Sequence, residues 1–178
     1  PGAIPFVGSS SIRMWDLASS WPRTATINNG FGGSTLADSI HYFDRLFAPY
    51  SPSAVILYAG DNDVAKGLSA EGVAADFETL ATRISSILPE TPILFLAIKP
   101  SEARWKLWPE MNRANELVAA QCAAIDDWYF ADIATPMLKD AEAAPKAKWF
   151  VEDGLHLSGW GYAMWTEVVN KLLAKAQA

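Results

Sequence analysis

The sequence predicts an α/β fold in which about five parallel strands form one sheet with helices on both faces. Short apolar runs alternate along the chain with longer segments of helical periodicity. The apolar runs are continuous rather than alternating, which is typical of strands that are covered on both faces. Because connections between parallel strands are right-handed, the expected architecture is a doubly wound sheet.

Five runs are predicted to be strands. They are residues 5–7, 26–28, 54–58, 93–98 and 128–131, with Ile133 added to the last. The run at 26–28 is a weaker strand candidate than the first.

Four apolar stripes at spacings of three or four residues predict helices between and after the strands. The stripes are Leu36, Ile40, Phe43 and Phe47; Val73, Phe77, Leu80, Ile84 and Ile87; Met111, Ala114, Val118, Cys122 and Ile125; and Tyr162, Trp165, Val169 and Leu172. Ser69 and Ser158 are candidate N-caps of the second and fourth stripes, and Pro89 ends the second.

Length and charge limit the class of protein. The 178 residues fit one domain over residues 1–178, with a globular composition that is 51% hydrophobic and 19% charged. The net charge of −6, without a basic stripe, argues against a nucleic-acid partner and disfavours an anionic membrane surface. No apolar run reaches the ~18 residues of a membrane span.

The single cysteine and the first residue of the chain allow two limited conclusions, one on the role of the cysteine and one on the compartment. Cys122 cannot form an intrachain disulfide, and its place in a helical stripe favours a buried apolar role over a nucleophilic one. The chain begins at Pro1 rather than methionine, so the lack of a signal peptide leaves cytoplasmic, periplasmic and secreted locations open.

Three adjacent serines, Ser9, Ser10 and Ser11, follow the first predicted strand. A serine at a strand-to-helix turn exposes its hydroxyl, and the N–H groups at the start of the helix stabilise negative charge. Serines also commonly cap helices. A nucleophile and a structural cap therefore both remain open for this segment.

Neutral hydrogen-bond donors follow the second and third predicted strands. The glycines in residues 28–34 let a substrate approach a bare backbone N–H, although they also serve simply to turn the chain. Their spacing does not match a phosphate-binding loop. In residues 60–63, the Asn62 amide is a candidate donor to a developing oxyanion, and an Asx turn is the structural alternative.

The chain has two histidines, and they differ in their surroundings. His41 lies in an early helical stripe, where a structural or exposed role is expected. His156 follows Asp153 by three residues, a spacing that places both side chains on one side of a turn. A carboxylate on one ring nitrogen leaves the other to accept a serine proton. The four segments together supply what acyl transfer requires.

The chain resembles the SGNH hydrolases, also called GDSL-type esterases, a family named for Ser, Gly, Asn and His in separate blocks. Those blocks occur here in the family order: Phe6-Val7-Gly8-Ser9-Ser10-Ser11-Ile12, residues 28–35, Gly60-Asp61-Asn62-Asp63 and Asp153-Gly154-Leu155-His156. One block alone is a weak signal, whereas four in order are specific. Ser9 stands where the family usually has aspartate, so Ser9 and Ser11 remain alternatives to Ser10 as nucleophile.

The resemblance implies a role for each block. It makes Ser10 the nucleophile, His156 the general base and Asp153 the carboxylate that orients the base. The implied oxyanion hole combines the backbone N–H groups of Ser10 and Gly33 with the side chain of Asn62. The family fold is a three-layer α/β/α, flavodoxin-like domain with about five parallel strands, and no metal or organic cofactor is required.

The expected activity is hydrolysis of short-chain acyl esters by a serine esterase, with a small-molecule or saccharide ester as substrate. Arg104 and Trp105 follow the fourth predicted strand and are candidate substrate contacts; packing of Trp105 or Trp108 beneath the loop is the equally weighted alternative. Deacetylation of a carbohydrate is the second hypothesis. A non-catalytic binding module and a flavodoxin-like cofactor protein are the alternatives from other classes.

Overall fold

The computed structural model describes residues 2–178 and contains one sheet of five parallel strands. The strands are β1 (Ile4–Gly8), β2 (Thr26–Gly30), β3 (Val55–Tyr58), β4 (Ile93–Leu96) and β5 (Trp128–Ala131). They lie in the order β2-β1-β3-β4-β5, and each neighbouring pair is parallel. In a sheet of this order, the direction in which successive strands are added reverses between β1 and β3. Ligands of such sheets bind in the crevice that this reversal leaves at the carboxyl ends of the strands.

Helices cover both faces of the sheet. They are α1 (Ser10–Arg13), α2 (Leu17–Ser20), α3 (Leu36–His41), α4 (Phe43–Leu46), α5 (Asp61–Ala65), α6 (Ala70–Ile87), α7 (Trp108–Ala124), α8 (Ala134–Leu138) and α9 (Gly159–Ala176). One buried core joins α3, α4, α6 and α7 to the sheet, and a second joins α1, α2, α8 and α9 to its other face. The predicted three-layer α/β/α fold is therefore confirmed.

The long helices follow the apolar stripes closely. Ser69 accepts a hydrogen bond from the Gly72 N–H at 3.1 Å, and Ser158 accepts one from the Gly161 N–H at 3.3 Å, so both predicted N-caps are present. The first stripe does not form one helix, because the chain breaks at Tyr42 between α3 and α4. Across residues 2–178, every helix is too short or too polar to cross a bilayer.

Two strands, β4 and β5, end earlier than the sequence predicts. The fourth strand ends at Leu96 rather than Ile98, because the Asn115 side chain pairs with both the N–H and the C=O of Ile98, at 2.7 and 3.0 Å. The fifth strand ends before Ile133, because Asp132 accepts hydrogen bonds from the next turn and starts α8. Side-chain amides and carboxylates thus replace the ladder at these ends.

Two glycines allow the close packing around the end of β1. A Cβ on Gly8 would lie 1.9 Å from the carbonyl oxygen of Tyr58, and one on Gly30 would lie 2.2 Å from the backbone nitrogen of Arg13. Only a residue without a side chain fits either position. The end of β1 therefore lies directly against β3, and α1 lies directly against β2.

A buried ion pair connects the chain after β3 to the chain after β4. The Lys99 Nζ lies 2.9 Å from the Asp61 Oδ2 and donates a second hydrogen bond to the Tyr58 hydroxyl at 3.1 Å. Both charged side chains are almost fully buried. Burial on its own raises the pKa of Asp61, but the charges of Lys99 and Arg104 outweigh burial and hold that pKa below its usual value.

Replacement of Lys99 by methionine is expected to destabilise the protein strongly. The substitution leaves the Asp61 carboxylate buried without its ammonium partner, which typically costs about 3–5 kcal/mol in the free energy of unfolding. Because the folded pKa of Asp61 is depressed, this loss is full at neutral pH and shrinks as falling pH protonates the carboxyl. Urea unfolding at neutral and acidic pH measures both effects.

The matched control is Lys171→Met, which removes an exposed lysine paired with Glu167 on α9. This surface substitution is expected to leave the urea midpoint almost unchanged. Equal midpoints for the Lys99→Met and Lys171→Met variants would contradict the requirement of the buried Asp61 carboxylate for its ammonium partner.

Candidate active site

Ser10, His156 and Asp153 form a continuous hydrogen-bonded chain at the carboxyl end of the sheet. The Ser10 Oγ lies 2.9 Å from the His156 Nε2, across 146 residues of sequence. The His156 Nδ1 lies 2.5 Å from the Asp153 Oδ2. With the Nδ1 proton directed at the carboxylate, Nε2 is left to accept the serine proton.

The three serines after β1 differ in exposure. Ser9 and Ser11 are buried, each with 1% of its surface exposed, whereas Ser10 is partly exposed. Ser10 is the first residue of α1, and Ser9 occupies the N-cap position without forming a side-chain cap. Only the Ser10 hydroxyl contacts the imidazole.

Two side chains fix the short helix that carries Ser10. The Asn28 amide on β2 donates hydrogen bonds to the carbonyl oxygens of Ile12 and Trp15, at 2.8 and 3.3 Å. The Tyr162 hydroxyl on α9 donates to the carbonyl oxygen of Ser11 at 2.8 Å. A four-residue helix has little stability of its own, so these contacts hold it in place.

The segment that carries His156 is held by Asp153. The Asp153 Oδ1 accepts hydrogen bonds from the N–H groups of Leu155 and His156, both at 2.9 Å, while Oδ2 contacts the imidazole. The hydrogen bond with the His156 side chain is the main reason why the pKa of Asp153 is lowered to about 2, and the two backbone N–H groups lower it further. The carboxylate is therefore charged across the pH range in which enzymes usually work.

Backbone N–H groups are free where the oxyanion hole was predicted. Within residues 2–178, neither the Ser10 N–H nor the Gly33 N–H donates a hydrogen bond. Gly33 has a φ of +74°, a left-handed conformation that favours glycine, and Lys66 binds its carbonyl oxygen at 2.9 Å. Both groups are available to bind a negatively charged oxygen.

The Asn62 side chain is held on both sides of its amide. Its Nδ2 donates to the carbonyl oxygen of Ser34 at 3.0 Å, and its Oδ1 accepts from Arg104 at 2.9 Å. One hydrogen of the NH₂ group remains after the bond to Ser34. Asn62 lies in α5 directly after β3, which is the strand next to β1.

The two candidate substrate contacts take different positions. Arg104 is directed into the site, where its guanidinium contacts Asn62 and lies 3.5 Å from the Asp61 Oδ2. The Trp105 ring stacks on the Trp108 ring, with centroids 6.1 Å apart and planes at 9°. Both rings are half-buried: they pack on each other, and each keeps part of its surface exposed to solvent.

Other titratable candidates lie outside this arrangement. Cys122 is buried, and burial raises its pKa to about 12, which keeps the thiol protonated and unreactive. His41 is exposed on α3 and its ring packs edge-on against Tyr42. Among residues 2–178, no cluster of three or more histidine, cysteine or acidic side chains is arranged to hold a metal ion.

The sequence prediction missed the buried polar residues behind the site. Lys99 follows a strand that is apolar throughout, and a lysine at that point is the signal that its charge is paired inside the protein. Asp61 lies inside the predicted Asn62 segment, yet nothing in the sequence indicates which partner it meets. The ion pair is formed between segments 38 residues apart.

The sequence matches a family model described as the GDSL-like lipase/acylhydrolase family over residues 9–164. No curated protein sequence matches the chain.

Solved structures share the fold at low sequence identity. A protein from Streptococcus pneumonia that is named a platelet activating factor has a TM-score of 0.86 at 20% identity, covering 97% of this chain and 84% of its own. A GDSL-like lipase from Bacteroides thetaiotaomicron has a TM-score of 0.79 at 18% identity, with coverages of 98% and 88%. A catalytic mutant of an acetylxylan esterase from Geobacillus stearothermophilus has a TM-score of 0.78 at 15% identity, with coverages of 97% and 94%.

These structures are similar in fold alone, whereas the family match rests on the sequence itself and extends from the serine segment to beyond His156. The chain therefore belongs to the GDSL-like lipase/acylhydrolase family of hydrolases.

Proposed function

We propose that this protein is a serine esterase that hydrolyses short-chain acyl esters, with Ser10 as nucleophile, His156 as general base and Asp153 as the orienting carboxylate. The observation that carries the proposal is the 2.9 Å contact between the Ser10 Oγ and the His156 Nε2. Nucleophile and base need to lie within hydrogen-bond distance, with a third group that orients the base. Asp153 satisfies that last requirement at 2.5 Å.

In the first step, the Ser10 Oγ attacks the ester carbonyl carbon while its proton passes to the His156 Nε2. The carbonyl oxygen becomes an oxyanion, which accepts hydrogen bonds from the Ser10 and Gly33 N–H groups and the Asn62 amide. One such donor typically lowers the barrier by ~3–4 kcal/mol. Collapse of this tetrahedral intermediate breaks the bond between the carbonyl carbon and the alcohol oxygen, which takes the proton from the imidazolium, and the acyl group remains on Ser10.

In the second step, His156 accepts a proton from water as the water oxygen attacks the acyl carbon. Collapse of the second tetrahedral intermediate breaks the bond to the Ser10 Oγ, which regains its proton from the imidazolium. The products are one carboxylic acid and one alcohol. The residues named supply all the proton transfers.

The nucleophile is tested by single alanine replacements of Ser9, Ser10 and Ser11. Ser10→Ala is expected to lower kcat for p-nitrophenyl acetate by ~10⁴-fold or more, because it removes the attacking oxygen. Ser9→Ala and Ser11→Ala retain most of the activity, since neither hydroxyl contacts His156. Equal activity of wild type and Ser10→Ala would favour a non-catalytic binding module.

The pH profile tests the base and its carboxylate partner. As pH falls, a single proton on the imidazole is expected to remove activity, so log(kcat/KM) declines with a slope of one. Asp153 does not contribute a second ionisation in this range, because its pKa of about 2 keeps it charged. A slope of two would be inconsistent with these roles.

The preference for short acyl groups is inferred from the connections around the site. Helix α1 begins at Ser10, two residues after β1 ends at Gly8. Helix α5 begins at Asp61, three residues after β3 ends. Connections this short supply few residues for a deep acyl channel. Each methylene that stays in water forgoes ~0.8 kcal/mol of burial, so longer chains gain little affinity.

Deacetylation of a saccharide is the second candidate. It is supported by the similarity in fold to an acetylxylan esterase and by the stacked Trp105 and Trp108 rings beside Arg104. Tryptophan rings present the broad apolar surface that stacks against a ligand.

A substrate panel separates the two candidates. Acetyl and butyryl p-nitrophenyl esters are expected to be hydrolysed faster than the octanoyl ester, because the short connections after β1 and β3 supply few residues to line a long acyl channel. If a saccharide is the substrate, Trp105→Ala raises KM for acetylated xylooligosaccharides and leaves p-nitrophenyl acetate hydrolysis unchanged. Faster turnover of the octanoyl ester would contradict the short-acyl preference, and an unchanged KM in Trp105→Ala would remove the saccharide role of that ring.

A further inference from the structure

We propose that Arg104 is a positioning residue that holds the Asn62 carboxamide in the one orientation that directs an N–H toward the oxyanion. This inference rests on the proposed esterase function and assigns a role to a residue expected from sequence to contact substrate. The contact that carries it is the 2.9 Å hydrogen bond from the Arg104 guanidinium to the Asn62 Oδ1.

A carboxamide has two orientations of almost equal shape, related by a half-turn that exchanges oxygen and NH₂. The two partners of Asn62 distinguish them. A guanidinium only donates, so Arg104 requires Oδ1 on its side, and a carbonyl oxygen only accepts, so Ser34 requires Nδ2 on the other. The reversed amide would place donor against donor and acceptor against acceptor.

The orientation determines whether Asn62 serves in catalysis. In the observed orientation one Nδ2 hydrogen binds Ser34 and the second is left to donate to a developing oxyanion. A reversed amide would direct its oxygen toward that negative charge and raise the barrier. The guanidinium also polarises the amide through Oδ1, which strengthens the remaining N–H as a donor.

Arg104 is itself anchored by the buried pair behind the site. Its guanidinium lies 3.5 Å from the Asp61 Oδ2, the same oxygen that binds Lys99 at 2.9 Å. The Asp61 Oδ1 accepts the backbone N–H of Asn62 at 2.9 Å. One carboxylate therefore positions both the backbone of Asn62 and the cation that binds its side chain.

The loop that carries Arg104 is also connected to the segment that carries the base. The N–H of Ala103 donates to the Gly154 carbonyl oxygen at 3.1 Å, between Asp153 and His156. Only 22% of the Arg104 side chain is exposed, which limits its contact with a bound ester. These features favour action through Asn62 over direct binding of substrate.

A double-mutant cycle with Arg104→Met and Asn62→Ala tests the inference on p-nitrophenyl acetate. Asn62→Ala is expected to lower kcat by ~10²–10³-fold, as for loss of one oxyanion donor. Arg104→Met alone lowers kcat by about 10- to 100-fold with KM little changed, because it weakens a charge-assisted hydrogen bond that matters in the transition state. Added to Asn62→Ala, it costs less than about twofold, because its target is already gone.

The matched control is Arg113→Met, which removes an exposed arginine that pairs with Glu71 away from the site. Its kcat and KM are expected to equal those of wild type. Circular dichroism and thermal unfolding verify that each variant is folded. If Arg104→Met does not fold, Arg104→Lys replaces it in the same cycle, since lysine keeps a positive charge near Asp61 and loses the planar donor geometry.

The outcomes separate this inference from the proposed function. A rise in KM without a fall in kcat would identify Arg104 as a substrate contact, and additive losses in the double variant would show that it does not act through Asn62; either result overturns the inference. Wild-type activity in Arg104→Met, with Ser10→Ala inactive and Asn62→Ala slow, overturns the positioning role alone. Wild-type activity in Ser10→Ala would instead overturn the esterase proposal.

Discussion

The parallel register of β1 between β2 and β3 is the constraint on which the candidate site depends. Gly8 pairs with Gly30 on one side and with Tyr58 on the other, so the three strands end at the same level of the sheet. The segments that follow them carry Ser10, Gly33 and Asn62. Because side chains alternate between the two faces of a sheet, a slip of one residue in the pairing would move every side chain of β1 to the opposite face. The missing Cβ of Gly8 makes the register possible, since any side chain there would meet the Tyr58 carbonyl.

Three charged side chains, Lys99, Asp61 and Arg104, lie behind the Asn62 amide. The protein carries a net charge of −6, yet the cation Arg104 contacts the Asn62 side chain and the cation Lys99 pairs with the adjacent Asp61. The single carboxylate of Asp61 lies against both of them. A buried ion pair of this kind often contributes little net stability, because desolvation offsets the attraction. Its consequence here is geometric, since it connects the ends of β3 and β4 and supports the arginine that contacts the Asn62 amide.

The family assignment and the proposed activity of this protein rest on different observations. Similar folds at 15–20% identity come with names as different as a lipase and an acetylxylan esterase, and a shared fold does not determine the reaction. Family membership follows from the sequence match over residues 9–164. The chemistry proposed for this chain depends on local geometry: a hydroxyl against an imidazole, an imidazole against a carboxylate, and free N–H groups nearby.

The layered fold and the segments that meet at the site could be predicted from the sequence alone, because apolar periodicity and polar turns are local properties of the chain. The predicted length of β2 was too short, because its polar residues Asn28 and Asn29 hide the strand pattern. They are tolerated on an edge strand that pairs on one side only. Among Ser9, Ser10 and Ser11 the sequence left alternatives that burial and the contact to His156 distinguish. The contacts of Arg104 with Asn62 and of Lys99 with Asp61 could not be predicted in this way. These partners lie 42 and 38 residues apart, and the packing of different strands and loops directs their side chains toward each other.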